Sequence, residues 1–195
     1  MSDATGGIDP GITEAVRARA ARIRLVGFDV DGTLTDGRLW FDGEGNESKA
    51  YHVQDGLGLR LLEDNAIPVA LITARDSASA RARARDLRLS HAHINVSDKL
   101  ACLSTLIAQL GLGWDEVAYM GDDLHDLALF PRVGLAVAPA NAHPWVRDHA
   151  HWITAQRGGE GAARALCDLL LEARGLRAAV LARFGWPAPP PDATP

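Results

Sequence analysis

Two aspartates, Asp29 and Asp31, sit two positions apart at the end of the apolar run in IRLVGFDVDGTLTDG, residues 23–37. Thr73 and Arg75 end a second such run in ALITARD, Lys99 opens a helical pattern in NVSDKL, and Asp122, Asp123 and Asp126 close a third run in VAYMGDDLHD. Carboxylates brought together repel one another unless a hard cation neutralises them, and oxygen donors without a paired His or Cys suit Mg²⁺ better than zinc. A divalent cation beside a hydroxyl, an ammonium and a free carboxylate suits phosphoryl transfer. The cation and Lys99 spread charge on the phosphoryl oxygens, Thr73 donates a hydrogen bond, and one aspartate attacks phosphorus to form an acyl phosphate. The second aspartate is spaced to protonate the leaving oxygen and later to deprotonate water. Gly32 lets the chain turn close to the phosphoryl group. Each feature alone has an ordinary structural reading: Asp-x-Asp as a turn or cap, Thr73 as a strand end, Lys99 as a solvated helix start. The ordered combination carries the chemistry.

These side chains converge if the apolar runs are strands of one sheet, because ligands of open α/β folds bind beyond the carboxyl ends of the strands. Strand patterns cover 23–30, 67–74, 92–96, 117–120, 133–137 and 151–154. They alternate with helical patterns over 56–65, 77–89, 99–110, 124–130 and 161–174, after a helical stretch at 12–21. The strands are continuous apolar runs, as in sheets covered on both faces, so the expected fold is α/β with a doubly wound parallel sheet. RLWFDGEGNESKAYHV, residues 38–53, places polar-apolar segments around the turn signal DGEGN and predicts a β-hairpin projecting from the first strand-to-helix loop. The chain divides into an N-terminal leader and helix (1–22), one domain (23–175) and a flexible C-terminal tail (176–195) that is Pro-rich in FGWPAPPPDATP.

A net charge of -5 argues against a general nucleic-acid binder. No apolar run approaches the roughly 18 residues of a membrane helix. The N-terminus lacks the basic and apolar regions of an export signal, so a cytoplasmic location is expected. Cys102 and Cys167 lie in apolar helical patterns and read as core thiols. In ARARARDLR, residues 80–88, a helix puts Arg81, Arg85 and Arg88 on one side; most of this is a solvated basic face, with one or two arginines able to reach a small anion. His91 and His93 read as surface loop residues without the company a metal needs. His125 reads as a solvent-facing helix start. Trp40 and Phe41 would be exposed on a monomer, which marks an interface.

DVDGT, LITAR, Lys99 and GDDLHD, in this order and at strand ends, resemble the four motifs of the haloacid dehalogenase-like superfamily over about residues 25–155. The resemblance implies Asp29 as nucleophile, Asp31 as general acid/base, and Thr73 and Lys99 as phosphoryl-binding residues. It also implies Asp122 joining Asp29 and the Asp31 backbone carbonyl on Mg²⁺, with Asp123 and Asp126 as supporting acids. Members usually carry a cap domain. Here one helix-strand unit separates Thr73 from Lys99 and the first insertion is a hairpin, so a capless core is implied.

DGRLWFDGEGNESKAYHVQDGLGLRLL, LITARDSASARARARDL, VAYMGDDLHDLALFPRVGLAVAPANAHPWVRDHAHWIT and RGGEGAARALCDLLL resemble, more closely, the 3-deoxy-D-manno-octulosonate 8-phosphate phosphatases. That family resemblance implies a Mg²⁺-dependent phosphatase of this acidic sugar phosphate in lipopolysaccharide precursor synthesis, working through an aspartyl-phosphate. It implies a homotetramer in which hairpins and C-terminal segments line neighbouring sites. Substrate contacts are implied at Asp31, His52, Val53, Gln54, Asp55, Gly56, Arg60, Arg75, Arg83 and Lys99. Arg75 and Arg83 suit a substrate with a carboxylate and a phosphate, since Arg binds both bidentately. Ala74 stands where the family often has glycine. A phosphatase of a nine-carbon sialic-acid-type 9-phosphate is an alternative. So, from another class, is a phospho-acceptor signalling module, although there the acidic pair and the acceptor Asp lie on different strands.

Overall fold

The computed structural model describes residues 11–186. Six strands form one parallel sheet: β1 (Leu25–Phe28), β4 (Val69–Thr73), β5 (His91–Ile94), β6 (Val117–Met120), β7 (Leu135–Ala138) and β8 (Trp152–Ile153), in the order β5-β4-β1-β6-β7-β8. A separate antiparallel hairpin of β2 (Trp40–Phe41) and β3 (Glu47–Ser48) projects between β1 and the first crossover helix. From β1 the chain winds to β4 and β5 on one side, then crosses to β6, β7 and β8 on the other. The strand order therefore reverses beside β1, where open α/β sheets place ligands.

Alternate residues of the central strands enter two different cores. Val26, Phe28, Val69, Leu71, Ala118 and Met120 face a layer of α1 (Glu14–Ala20), α2 (Val53–Asp64), α3 (Ala78–Asp86) and α6 (Ala162–Ala173). Leu25, Ala70, Ile72, Val117 and Tyr119 face α4 (Lys99–Leu110) and α5 (Pro144–Arg147). With both faces covered, every position of β1, β4 and β6 is buried, which is why their sequences run apolar without alternation. Each large side chain fully buried here contributes roughly 1.5–3 kcal/mol. Gly58 lets α2 lie close against α6, since a methyl there would meet Cys167 Cβ and Arg164 Cδ at 3.0 Å each.

Several elements differ from expectation for local reasons. α2 begins at Val53, not near 56, so the hairpin's return segment ends at Tyr51 and His52 becomes the helix N-cap. The helix expected at 124–130 is a single 3₁₀ turn, Leu124–Asp126, because Asp123 caps Leu124 N–H at 2.8 Å and Asp126 folds back onto the loop. α5, starting at Pro144, lies outside the helical patterns of the sequence. Within the expected tail, α7 (Arg177–Arg183) forms because Leu176 and Val180 pack on the core and Arg183 pairs with Asp64 at 3.0 Å. The Pro-rich residues 187–195 and leader residues 1–10 lie outside the described residues. His91 and His93 sit on the edge strand β5 rather than a loop, their rings stacked with centroids 6.3 Å apart. Cys102 and Cys167 are free thiols, the latter fully buried. Among the described residues, no helix is long and apolar enough to cross a membrane.

Candidate active site

β1 delivers Asp29 directly beyond the sheet, its N–H donating to Met120 O at 2.9 Å. The chain then turns through Gly32, whose φ of +85° favours glycine, and a methyl there would collide with Asp122 Oδ2. Thr35 Oγ1 closes the turn, accepting from Gly32 N–H at 3.3 Å and Gly37 N–H at 3.2 Å. Thr33 Oγ1 donates to Asp122 Oδ1 at 3.3 Å, tying the loop after β1 to the loop after β6. β4 ends in Thr73, 2% exposed. Lys99 is the first residue of α4, which Asp98 caps through Ala101 N–H at 2.9 Å. From there Lys99 Nζ reaches both Asp29 Oδ1 and Asp126 Oδ1 at 2.7 Å.

The result is a cavity of about 240 Å³ lined by Asp29, Asp31, Thr73, Arg75, Lys99, Asp122, Asp123, His125 and Asp126. Carboxylate oxygens of Asp29, Asp122 and Asp126 all lie within 4.8 Å of one another. Burial, with the Asp126 charge added, raises the Asp29 carboxyl to about 6, against the opposing pull of Lys99. Burial, then Asp29 and Asp126, raises Asp122 to about 8. Burial alone would lower Lys99, but the two carboxylates outweigh it and hold its ammonium above the ordinary range.

Three carboxylates thus face one ammonium, and the excess negative charge fits a divalent cation. Asp126 has no oxygen to spare for it. Its Oδ1 accepts from Lys99 and from Tyr119 OH at 2.8 Å, while its Oδ2 accepts from Asp122 N–H at 3.1 Å and Asp123 N–H at 3.3 Å. Asp29 and Asp122 are left as the hard oxygen donors, in keeping with Mg²⁺. Asp123 spends an oxygen on its helical cap. The Asp31 side chain stands outside this trio and pairs with Lys49 instead.

Asp29, Asp31, Thr73, Arg75, Lys99 and Asp122 share the cavity, whereas the remaining expected substrate contacts do not line it in the single chain. His52, Asp55, Gly56 and Arg83 line a different, narrow crevice with Tyr51. Asp55 is 2% exposed and caps α6, accepting from Arg164 N–H at 2.7 Å and Gly161 N–H at 3.3 Å. Arg60 donates to Leu87 O at 2.9 Å and pairs with Asp64 one turn along α2 at 2.8 Å. Arg83 pairs with Asp86 and lies over the Tyr51 ring. Val53, by contrast, is 81% exposed. His125 is exposed, as expected, and is among the residues lining the cavity.

Five participants went unread in the sequence: Thr33, Thr35, Tyr119, Glu47 and Lys49. Tyr119 carried a signal, because a phenol inside a continuous buried strand must find a partner for its hydroxyl. Glu47 and Lys49 lie on and just after β3, where charged residues of a hairpin look like solvated surface. Instead Glu47 accepts from Arg75 Nη2 at 2.7 Å and from Ser77 Oγ at 2.8 Å, and Lys49 bridges Asp31 and Glu47.

The model of haloacid dehalogenase-like hydrolases matches residues 93–166. The 3-deoxy-D-manno-octulosonate 8-phosphate phosphatase of Yersinia pestis is 43% identical over 163 residues, 84% of this chain and 87% of that protein. The structure of the Moraxella catarrhalis phosphatase of the same name, in complex with magnesium ion, phosphate ion and KDO, superimposes with a TM-score of 0.86 at 39% identity, covering 89% of this chain and 99% of that one. A hypothetical protein from Xanthomonas campestris superimposes with a TM-score of 0.88 at 52% identity, covering 91% and 97%.

Proposed function

The chain belongs to the 3-deoxy-D-manno-octulosonate 8-phosphate phosphatases, a family of haloacid dehalogenase-like hydrolases, and from that membership we propose that it hydrolyses this sugar phosphate to the free sugar acid and inorganic phosphate. The observation that carries the reading is the single cavity lined by Asp29, Asp31, Thr73, Lys99 and Asp122 together with Arg75.

Asp29, oriented by Lys99 on Oδ1, attacks phosphorus. The bond from phosphorus to the sugar oxygen breaks while Asp31 delivers a proton to that oxygen, and the phosphoryl group remains on Asp29 as an acyl phosphate. Water then attacks the same phosphorus, Asp31 takes its proton, and cleavage of the bond to Asp29 releases phosphate. Thr73 and Lys99 bind phosphoryl oxygens, and Asp126 keeps Lys99 and the loop after β6 in place. Asp29, Asp122 and the Asp31 backbone carbonyl would hold Mg²⁺, which would supply positive charge to stabilise the phosphoryl oxygens. Arg75 recognises the sugar carboxylate.

Residues 23–175 form the phosphatase domain, and the working enzyme is a cytoplasmic homotetramer. Trp40 and Phe41 support the assembly, being 63% and 59% exposed on one chain. In that assembly residues 52–56, with Arg60 and Arg83, contribute substrate contacts; the exposure of Val53 at the start of α2 favours their meeting a neighbouring chain. Phosphate release from the 8-phosphate, a sialic-acid-type 9-phosphate and a neutral hexose phosphate, each with Mg²⁺ and with chelator, tests the reading. Preference for the 8-phosphate, abolished by chelator, is expected; preference for another member of the panel overturns the substrate.

A further inference from the structure

The Lys49 side chain is wholly covered, at 0% exposure, although Trp40 and Phe41 on the same hairpin stand in solvent. Burying an ammonium strips its hydration, a cost that nearby carboxylates must offset. Here two do: Asp31 Oδ1, in a short contact, and Glu47 Oε1 at 3.3 Å. Glu47 in turn accepts from Arg75 and Ser77 in the loop after β4. The chain of contacts runs from one side of the cavity to the other through the hairpin.

Its effect on Asp31 is to distinguish the two oxygens of one carboxylate. Oδ1 is occupied by Lys49. Oδ2 is buried without a hydrogen-bond partner, with Arg75 Nε no closer than 3.9 Å. A free carboxylate can rotate about its Cβ–Cγ bond and offer either oxygen, and a proton donor that wanders loses most of its catalytic effect. We propose that Lys49 is a positioning residue for proton transfer: by gripping Oδ1 it holds the Asp31 carboxyl in one orientation at the cavity, the orientation in which Asp31 gives a proton to the leaving sugar oxygen and takes one from water. The proposal rests on Asp31 being the acid/base. Glu47 holds Lys49 from its other side and locks the hairpin stem to the loop carrying Arg75, so the hairpin orders the catalytic loops.

The test compares a poor leaving group with a good one through kcat/KM, which reports only steps up to loss of the leaving group. The sugar 8-phosphate needs a proton on its departing oxygen; p-nitrophenyl phosphate does not. Lys49→Met keeps the stem and removes the charge. It should lower kcat/KM for the sugar phosphate about 100-fold while changing that for p-nitrophenyl phosphate less than about 5-fold, through kcat rather than KM. Lys49→Arg should recover part of the loss. Equal losses on both substrates, or no loss on either, overturn the proposal. Lys49→Gln serves in the same comparison should the Met variant fail to fold, with thermal melts as the check. Asp31→Asn separates the two layers: it should show the same leaving-group dependence in stronger form. If it does and Lys49→Met does not, the positioning role falls while the acid assignment stands; if Asp31→Asn lacks the dependence, the acid assignment falls and the positioning role with it.

Discussion

The absent side chain of Gly32 is the space that Asp122 Oδ2 occupies. One residue thereby meets two requirements, a left-handed turn at φ +85° immediately after Asp31 and close approach of a carboxylate from a different strand. Gly32→Ala should push Asp122 away from Asp29 and cost about 100-fold in kcat/KM, the penalty expected for roughly 1 Å of misplacement. Mg²⁺ titration of the variant should show weakened binding alongside the kinetic loss. Undiminished metal affinity would show that Asp122 does not need the gap.

Asp29→Asn keeps volume and removes the attacking oxygen. Turnover and acyl-phosphate formation should both vanish, at least 10⁴-fold below the native enzyme by comparison with loss of other nucleophiles. The melting temperature should change by only a few degrees, since Lys99 keeps Asp126 as its partner. A trapped phosphoenzyme in this variant would reassign the nucleophile.

The raised Asp29 and Asp122 carboxyls give metal-free protein a defined response to pH. A carboxyl whose folded value lies above its unfolded 3.8 favours folding most below that value, and this contribution fades as pH climbs through about 6 for Asp29 and about 8 for Asp122. Metal-free protein should therefore lose stability across that window. Mg²⁺ should bind more tightly toward its upper end, releasing protons, and restore stability there. Thermal melts and calorimetric titrations at pH about 5 and about 8.5 check both slopes; stability that rises with pH in chelator contradicts the account.

Trp40→Glu combined with Phe41→Glu should convert a tetramer into smaller species and reduce activity mainly through substrate binding. Light scattering and steady-state kinetics on the double variant provide the comparison. A native protein that is a fully active monomer would remove the premise, and an unchanged tetramer in the variant would move the interface elsewhere.

The central strands were legible because they are buried on both faces, so Val117–Met120 could be bounded to the residue, and helix α4 also has the expected bounds, Lys99–Leu110. The catalytic side chains were legible because their spacing follows strand ends. What escaped reading depended on contacts distant in sequence. Lys49 looks solvated until β3 brings it to Asp31, 18 positions earlier. Asp126 reads as a supporting acid, but its partners, Lys99, Tyr119 and two N–H groups, emerge only from the folded chain. The helix expected at 124–130 failed for the same reason, its acids being drawn into capping and the site. Asp55, read through family resemblance as a substrate contact, is an α6 cap in the single chain.

That cap joins residues 109 positions apart. A ribosome releases the chain from its N-terminus, so DVDGT, Thr73, Lys99 and GDDLHD are all in solution before the N–H of Arg164 can reach Asp55. A growing chain consequently owns every reactive side chain well before it owns the helix that anchors the start of α2. Catalytic competence arrives late in synthesis, and fragments ending before α6 should remain silent as phosphatases however complete their motifs.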